Sequence, residues 1–301
     1  MGPYKSGLVD VGTLKNGEPI KVYFEFWGNP KGVPVMYLHG GPGDHVSKDM
    51  PTWFKPGAYN IILFDQRGCG KSEPRNLTEQ NTTADLISDM ELLRKMLPAE
   101  KMVVAGGSWG TSLAILYAEQ YPQRVLGLIL RGVYDLDLSD PIIPLVYPKE
   151  DNEMNALVPS KNQTMFFKKI TRILKGKRTA KRRKVVDLLT TNAPLFVMTQ
   201  NVHKDTYKDK ETLAIVGNHY ESHHFFKSKK LLYKNLKKIK HIPTIMVEGR
   251  YDIVTPMYIA EKMCKLMPKC DLRIVRSGHA AMEPETKRAL LKASVDMLHL
   301  I

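Results

Sequence analysis

Short apolar runs alternate with amphipathic stretches along most of this chain. The runs typical of buried strands are Val35–Leu38, Ile61–Phe64, Met102–Ala105, Val125–Leu130, Thr244–Val247 and Leu272–Val275. Helical spacing of apolar residues marks four further segments, at 84–97, 111–121, 257–267 and 286–300. Apolar strands that alternate with helices predict the α/β fold class, with a mostly parallel sheet and helices on both faces.

The alternation is interrupted in the middle of the chain by two strongly basic stretches. Residues 161–184 contain eleven Lys or Arg and no acid, and residues 227–240 contain seven Lys and no acid. Both stretches carry apolar residues at helical spacing, so they are predicted to be amphipathic helices. We therefore expect a core domain made of residues 1–134 and 241–301, with a basic helical cap domain inserted at 135–240. Such an insert usually lies over the carboxyl ends of the strands, where ligands bind.

Composition places the chain among ordinary globular proteins. Of its 301 residues 43% are hydrophobic and 25% are charged, which argues against disorder and against a fibrous repeat. No apolar run approaches the roughly 18 to 20 residues of a transmembrane helix, and the first residues do not resemble a secretory signal. We therefore expect a cytoplasmic protein without a transmembrane segment, whose three cysteines are reduced thiols.

The formal net charge of +14 belongs to the cap and not to the whole chain. Without the two basic stretches, 27 Lys and Arg remain against 31 Asp and Glu. Two interpretations of the basic cap stay open: solvated helix faces, or a patch that binds an anionic ligand or surface. The sequence has no nucleic-acid-binding motif, so specific recognition of nucleic acid is not expected.

The strongest chemical signal is the sequence GGSWG around Ser108. It follows the predicted strand Met102–Ala105 directly and precedes a predicted helix. A G-x-S-x-G sequence between a strand and a helix is typical of a nucleophile elbow, in which small neighbours permit a strained turn that exposes the serine hydroxyl. A glycine-rich turn with an incidental serine is the alternative interpretation.

A serine nucleophile needs a histidine base and an acid that orients it, and in this arrangement the chain order is Ser, acid, His. His279 follows the last predicted strand, and Asp252 follows the strand before it. The carboxyl ends of parallel strands meet at one sheet edge, so these two side chains are predicted to lie near Ser108. Asp135 is a second candidate for the acid, because triads are defined by geometry and not by sequence position.

The sequence HGGPG, which begins at His39, could supply the remaining part of such a site. It follows the predicted strand Val35–Leu38, and its glycines allow the backbone to approach a reacting carbonyl group. The backbone N–H groups of Gly41 and Trp109 are the candidates for an oxyanion hole. His39, Gly40 and Gly43 are candidates for contact with the substrate. Taken alone, the loop could also be an ordinary turn.

A group of histidines near residue 220 raises the question of a metal site. His219, Glu221, His223 and His224 lie close together, but the helical zinc motif needs Glu directly after the first His and a second His four residues on. The glutamate stands at the wrong offset. We therefore expect packed or hydrogen-bonded histidines, and neither a metal nor another cofactor.

Taken together, these motifs resemble the proline iminopeptidase (prolyl aminopeptidase) family of α/β-hydrolases. The resemblance rests on HGGPG, GGSWG, DQRGCGKS from Asp65, HIPTIMVEGRYDIVTP from His241, and GHAAMEP from Gly278. It implies an α/β-hydrolase fold in which Ser108 is the nucleophile, Asp252 the acid and His279 the base. It also implies release of an N-terminal residue, typically proline, from short peptides through an acyl-enzyme, without metal or organic cofactor.

The cap departs from this family pattern. Members usually bind the free α-amino group of the substrate with cap glutamates, one of them in an R-I-E-x-H-Y-like segment. Here that segment has Gly217 in the place of the glutamate, and no Trp follows Trp109, so a second W-x-x-W-E-like motif is missing as well. We assign Glu221 to substrate binding, although other glutamates could serve instead. These are Glu150, Glu153 and Glu211.

Three functional hypotheses result. The leading one is a serine aminopeptidase similar to proline iminopeptidases, acting on short peptides. The second is a related amide or ester hydrolase with the same triad and an altered pocket. The third is a binding protein that uses the basic cap on anionic partners; the complete set of catalytic motifs argues against it.

Overall fold

Eight strands form one mixed sheet in the computed structural model, which describes residues 2–97, 99–137, 145–190 and 206–301. The strands are β1 (Lys5–Thr13), β2 (Pro19–Gly28), β3 (Val33–Leu38), β4 (Tyr59–Phe64), β5 (Met102–Gly107), β6 (Val125–Arg131), β7 (Thr244–Gly249) and β8 (Cys270–Val275). Their order across the sheet is β1-β2-β4-β3-β5-β6-β7-β8.

The predicted α/β class with a mostly parallel sheet is confirmed. Strands β3 to β8 pair in parallel, and each of the six apolar runs forms one of them. Two further strands, β1 and β2, were not predicted. β1 pairs with β2, and β2 pairs with β4, both in antiparallel fashion. β1 is an edge strand that buries only one of its faces in part, so its apolar pattern is weak.

Nine α-helices accompany the sheet in the described part of the chain. They are α1 (Thr83–Arg94), α2 (Trp109–Gln120), α3 (Pro148–Leu157), α4 (Gln163–Lys175), α5 (Ala180–Leu189), α6 (Tyr207–Ser222), α7 (Lys229–Asn235), α8 (Met257–Cys264) and α9 (Pro284–Met297). Short 3₁₀ helices occur at Met50–Trp53, Pro122–Arg124, His224–Phe226 and Leu236–Lys238. None of the helices described here is both long and apolar enough to cross a membrane.

Side chains that alternate along the strands build two hydrophobic layers, one on each face of the sheet. On β3, Met36 and Leu38 belong to the layer covered by α1, α2 and α8, whereas Val35 and Tyr37 belong to the layer covered by α9. All four are almost completely buried. Because side chains alternate in this way, both faces of the sheet are covered by helices. The carboxyl ends of the strands remain as the edge at which loops can form a site.

Helices α3 to α7 lie between β6 and β7 in the chain, within the predicted cap. Apolar residues of α4, α5 and α6 form a separate small core that includes Ile170, Val186 and Ala214. The first basic stretch forms two helices and not one, because α4 ends at Gly176 and Thr179 caps the start of α5. Residues 138–144 and 191–205 of the predicted cap lie outside the described residues, and the boundaries at 135 and 240 stay a prediction.

The expectation of reduced thiols is wrong for two of the three cysteines. Cys264 and Cys270 form a disulfide, with their Cα atoms 5.4 Å apart. The two residues lie at the end of α8 and the start of β8, which a short connection joins. Their separation of six residues in the sequence did not by itself indicate that the two thiols would pair. Cys69 is free and buried. The cytoplasmic location stays a prediction.

Candidate active site

Ser108 occupies a strained turn between β5 and α2. Its backbone has φ 55° and ψ −126°, a conformation that L-residues rarely adopt. Two glycines make the turn possible. A Cβ atom at Gly110 would lie 2.1 Å from the backbone oxygen of Leu38, and one at Gly106 would lie 2.3 Å from the oxygen of Gly110. The sequence around Ser108 therefore has the geometry expected of a nucleophile elbow.

His279 and Asp252 lie together at the same sheet edge. The distance between Nδ1 of His279 and Oδ2 of Asp252 is 2.7 Å. Asp252 Oδ1 accepts hydrogen bonds from the backbone N–H groups of Val254 and Thr255, and Oδ2 accepts one from the Thr255 hydroxyl. Burial by itself would raise the pKa of Asp252, but His279 and these donors lower it below its ordinary value. Asp252 is therefore held as an anion that can fix the tautomer of the imidazole.

Asp135, the second candidate for the acid, is engaged elsewhere. Its carboxylate pairs with Lys229 at 2.8 Å and accepts a hydrogen bond from the Tyr233 hydroxyl at 2.9 Å. The structure thus brings Asp252, and not Asp135, to His279.

Ser108 and His279 line one cavity of about 510 Å³ at the carboxyl edge of the sheet. The structure records no hydrogen bond between the Ser108 hydroxyl and the His279 ring. Nη1 of Arg131 instead lies 3.5 Å from Nε2 of His279 and donates a hydrogen bond to the His279 backbone oxygen at 2.7 Å. Catalytic hydrogen bonds are often long or absent without substrate, so this arrangement is compatible with a serine–histidine pair.

The HGGPG loop reaches the same cavity, but its members have different roles. Gly40 and Gly41 line the cavity, and a Cβ atom at Gly40 would lie 3.1 Å from Cβ of Ser108. Gly41 has φ 101°, which favours glycine. Trp109 is the first residue of α2, where backbone N–H groups have no partner within the helix. These positions suit an oxyanion hole.

His39 and Gly43, which the sequence made candidates for contact with the substrate, do not line this cavity. His39 is buried behind the loop, where Nδ1 donates to the Gly40 oxygen and Nε2 accepts from the N–H of Gln66, both at 3.0 Å. Burial lowers the pKa of His39, which favours the neutral ring. Gly43 packs against α6, since a Cβ atom there would lie 2.8 Å from Cα of Leu213. Both residues position the loop instead of facing the cavity.

Among the four glutamates considered, Glu221 is the one that lines the cavity. Leu213, Gly217 and Glu221 are spaced by four residues on α6, and all three face this space. Glu211 is paired with Arg178 and Arg182, and Glu153 is paired with Lys184. Desolvation by burial raises the pKa of Glu221 to about 7.

A family model described as an alpha/beta hydrolase fold matches residues 33–286. The chain is 33% identical to the proline iminopeptidase of Neisseria gonorrhoeae, covering 98% of this chain and 97% of that protein. It is 36% identical to the proline iminopeptidase of Arabidopsis thaliana, covering 99% and 81%. The chain belongs to the proline iminopeptidase family of α/β-hydrolases. It is accordingly a hydrolase, as the resemblance predicted.

Solved structures agree on the fold of this α/β-hydrolase. A thermophilic esterase from Thermogutta terrifontis superposes with a TM-score of 0.64 at 19% identity, covering 97% of this chain and 98% of that one. A 2-hydroxy-6-oxo-6-phenylhexa-2,4-dienoate hydrolase from Rhodococcus has a TM-score of 0.64 at 16% identity, covering 98% and 100%. At these identities the likeness shows the fold alone.

Two residues that the sequence did not single out, Thr255 and Arg131, hold His279 in place. Thr255 donates to Asp252, and its hydroxyl lies 3.1 Å from Nδ1 of His279. Arg131, at the end of β6, fixes the His279 backbone, and its backbone oxygen accepts from the Ser108 N–H at 2.9 Å. Arg131 is the last residue of β6, so its place at a strand end was a usable signal, whereas Thr255 lies six residues after β7 ends.

The histidines near residue 220 serve packing. The His219 ring lies 2.9 Å, through Nε2, from the Asn81 backbone oxygen and contacts the rings of Tyr220, His223 and Phe226. Within the described residues, no group of three or more His, Cys, Asp or Glu side chains is arranged to hold a metal ion. Burial lowers the pKa of His219.

Proposed function

We propose that this hydrolase is a serine aminopeptidase that releases the N-terminal residue, preferably proline, from short peptides through an acyl-enzyme on Ser108. The observation that carries the proposal is the Glu221 carboxyl group in the cavity that Ser108 lines. No hydrogen bond or ion pair of this carboxyl group to another described side chain is recorded. Its ionised form is therefore suited to pair with the α-ammonium group of a bound peptide.

The position of Glu221 supports this role. It stands one helical turn after Gly217 on the same face of α6, so its carboxyl group can occupy the space that a glutamate at 217 would approach. Asp44 and Asp209 also line the cavity, and Asp209 is paired with Arg75. A wall that carries carboxylates favours a cationic N-terminus over a blocked one.

The arrangement supports the following chemistry. The Ser108 oxygen attacks the carbonyl carbon of the first residue while His279 accepts the hydroxyl proton, and Asp252 stabilises the imidazolium. The N–H groups of Gly41 and Trp109 stabilise the oxyanion. His279 then gives the proton to the leaving amine, whose C–N bond breaks. Water, deprotonated by His279, attacks the ester carbon and frees both the amino acid and Ser108.

The cavity also has an apolar part that supports a preference for proline. Its lining includes Met50, Trp53, Val254 and Ala281. A pyrrolidine ring has no polar atom apart from its nitrogen, so it can bury its methylene groups against these side chains, each CH₂ contributing about 0.8 kcal/mol.

The decisive experiment compares hydrolysis of a proline arylamide, its N-acetylated form and a simple aryl ester, with Ser108→Ala as the control. Cleavage of the free-amine substrate alone, lost in the variant, supports the aminopeptidase. Ester turnover without arylamide turnover would overturn the aminopeptidase in favour of the related ester hydrolase. Gly217 favours that alternative, because it stands where the family usually has a glutamate. Turnover that survives in Ser108→Ala would refute the assigned nucleophile.

We further propose that the outer face of the cap binds anionic ligands or surfaces. Lys168, Arg172 and Lys175 are exposed on α4. By contrast, Arg178 and Arg182 both pair with the Glu211 carboxylate. Loss of retention on a phosphate matrix after Lys168→Glu and Lys175→Glu supports this role, and unchanged retention overturns it.

A further inference from the structure

Glu248 is a second carboxyl group buried beside the acid of the proposed triad. It is the fifth residue of β7 and has no exposed surface. One of its oxygens, Oε2, accepts a hydrogen bond from the Val133 N–H at 2.8 Å. The other oxygen, Oε1, is buried and has no hydrogen-bond donor among the described residues. The Glu248 carboxyl group is also within hydrogen-bond reach of Asp252.

An ionised Glu248 would be expensive at this position. Two carboxylates would lie in contact in a buried site, and Oε1 would be desolvated without a donor. The cation nearby is Arg131 on β6, but its Nη1 donates to the His279 backbone and its Nε is itself without a partner. On the other side, the residue of β8 in register with Glu248 is the apolar Ile274.

One proton resolves both difficulties. We propose that Glu248 is a positioning residue that stays uncharged and donates a hydrogen bond from its carboxylic acid group to the Asp252 carboxylate. Asp252 would then receive hydrogen bonds from Glu248, from the loop that contains Thr255 and from His279. Asp252 remains the only anion of the two carboxyl groups, and its carboxylate plane is held in the orientation that accepts the Nδ1–H of His279. No proton moves to Asp252 in this arrangement.

The electrostatics agree with the geometry. Burial raises the pKa of Glu248 well above its ordinary value, and the charge of Asp252 raises it further, while the Val133 N–H and Arg131 act in the opposite direction. The pKa of Asp252 is lowered despite its burial, mainly because of His279. When two coupled acids diverge in this way, one proton is shared by the pair and resides on the group without a cationic partner.

This inference rests on the proposed catalytic triad, and its test separates the two. Ser108-dependent hydrolysis of either the arylamide or the aryl ester supplies the activity, whichever substrate the protein accepts. If neither is hydrolysed, the proposed function fails, and infrared spectroscopy still decides the protonation of Glu248. The carbonyl stretching band of a protonated carboxylic acid at pH 7 should be present in the protein and lost in Glu248→Gln.

The kinetic test uses Glu248→Gln, which keeps the size and a hydrogen-bond donor without any charge. If Glu248 is neutral, the midpoint of the acid limb of kcat/KM stays within about 0.3 pH units of the original. If Glu248 is an anion, its removal makes protonation of the base harder and lowers the midpoint by roughly one unit. The second result, or absence of the infrared band, overturns the proposal.

A purely structural role is distinguished by Glu248→Ala. Loss of the donor should lower kcat about tenfold without a matching rise in KM, and Glu248→Gln should recover most of that loss. Equal losses in both variants would overturn the donor role. Should the alanine variant fail to fold, the pH profile and infrared band of the glutamine variant still decide the matter.

Discussion

Glu221→Gln removes the charge that we assign to amine recognition and changes little else. Glutamine has nearly the same size, and the glutamate makes no recorded side-chain pair whose loss would destabilise α6. A hydrogen bond between a carboxylate and an ammonium group is worth about 1.5 to 3 kcal/mol. Since 1.4 kcal/mol corresponds to a factor of ten, KM for a proline arylamide should rise roughly 10- to 150-fold.

The pH dependence of KM gives the sign of the effect. Burial raises the pKa of Glu221 to about 7, so the carboxyl group is mostly neutral at pH 6 and mostly ionised at pH 8. The form that attracts an ammonium group therefore increases with pH. We expect KM for the arylamide to fall as the pH rises through about 7, and we expect this dependence to disappear in Glu221→Gln.

The assay measures KM and kcat for the arylamide and for an aryl ester that lacks an amine, between pH 5.5 and 8.5. The ester is the control, because its KM should change less than about twofold in the variant. Gly217→Glu, added to Glu221→Gln, offers a rescue: a Cβ atom at 217 has its nearest neighbour, the Pro42 backbone oxygen, at 3.4 Å, which is an ordinary van der Waals contact. Equal changes in KM for the arylamide and the ester would refute recognition of the amine by Glu221.

Three further predictions concern the scaffold and the surface. Gly110→Ala should lower the free energy of unfolding in urea by about 3 kcal/mol or more, because its Cβ atom would collide with backbone, whereas Gly7→Ala, with neighbours at 3.7 Å, should cost less than about 1 kcal/mol. Arg67→Met should cost about 3 to 5 kcal/mol at pH 8, since it leaves the buried Asp89 without its bidentate partner. Burial already raises the pKa of Asp89 to about 6, so protonation should make the loss smaller at pH 5 than at pH 8, and an equal loss would contradict this reasoning. Lys181→Glu should leave aryl ester hydrolysis within about twofold, because this exposed side chain lies outside the cavity, and a larger change would show that the cap charge reaches the site.

The part of the site that the sequence predicts is the part attached to strand ends. Ser108, Asp252 and His279 each follow an apolar strand within a few residues, and parallel strands place their carboxyl ends at one edge. Local sequence and sheet topology together were therefore sufficient to bring the three side chains close. The sequence also contains a signal for Glu248, because it is a charged residue inside an otherwise apolar strand that is predicted to be buried.

The cap could not be predicted in this way. The choice between Glu211 and Glu221 depends on the rotational position of α6 against the core, which is set by contacts distant in sequence. Tyr220 of α6 and Phe225 after it pack on Trp109, and Arg75 pairs with Asp209 near the start of the helix. No local pattern reveals such contacts.

The charge of the whole chain also says little about the charge that a substrate would meet. A net charge of +14 would by itself disfavour the approach of a cationic amine, but exposed lysines act through water and salt, where their field decays over about 8 Å. The cavity is lined by Arg131 and by carboxyl groups, and the Glu221 carboxyl group, in a desolvated space, would act on a ligand at short range. A basic outer face and a cavity with a desolvated carboxyl group are therefore compatible in one protein, because burial and not net charge determines which field a bound N-terminus would experience.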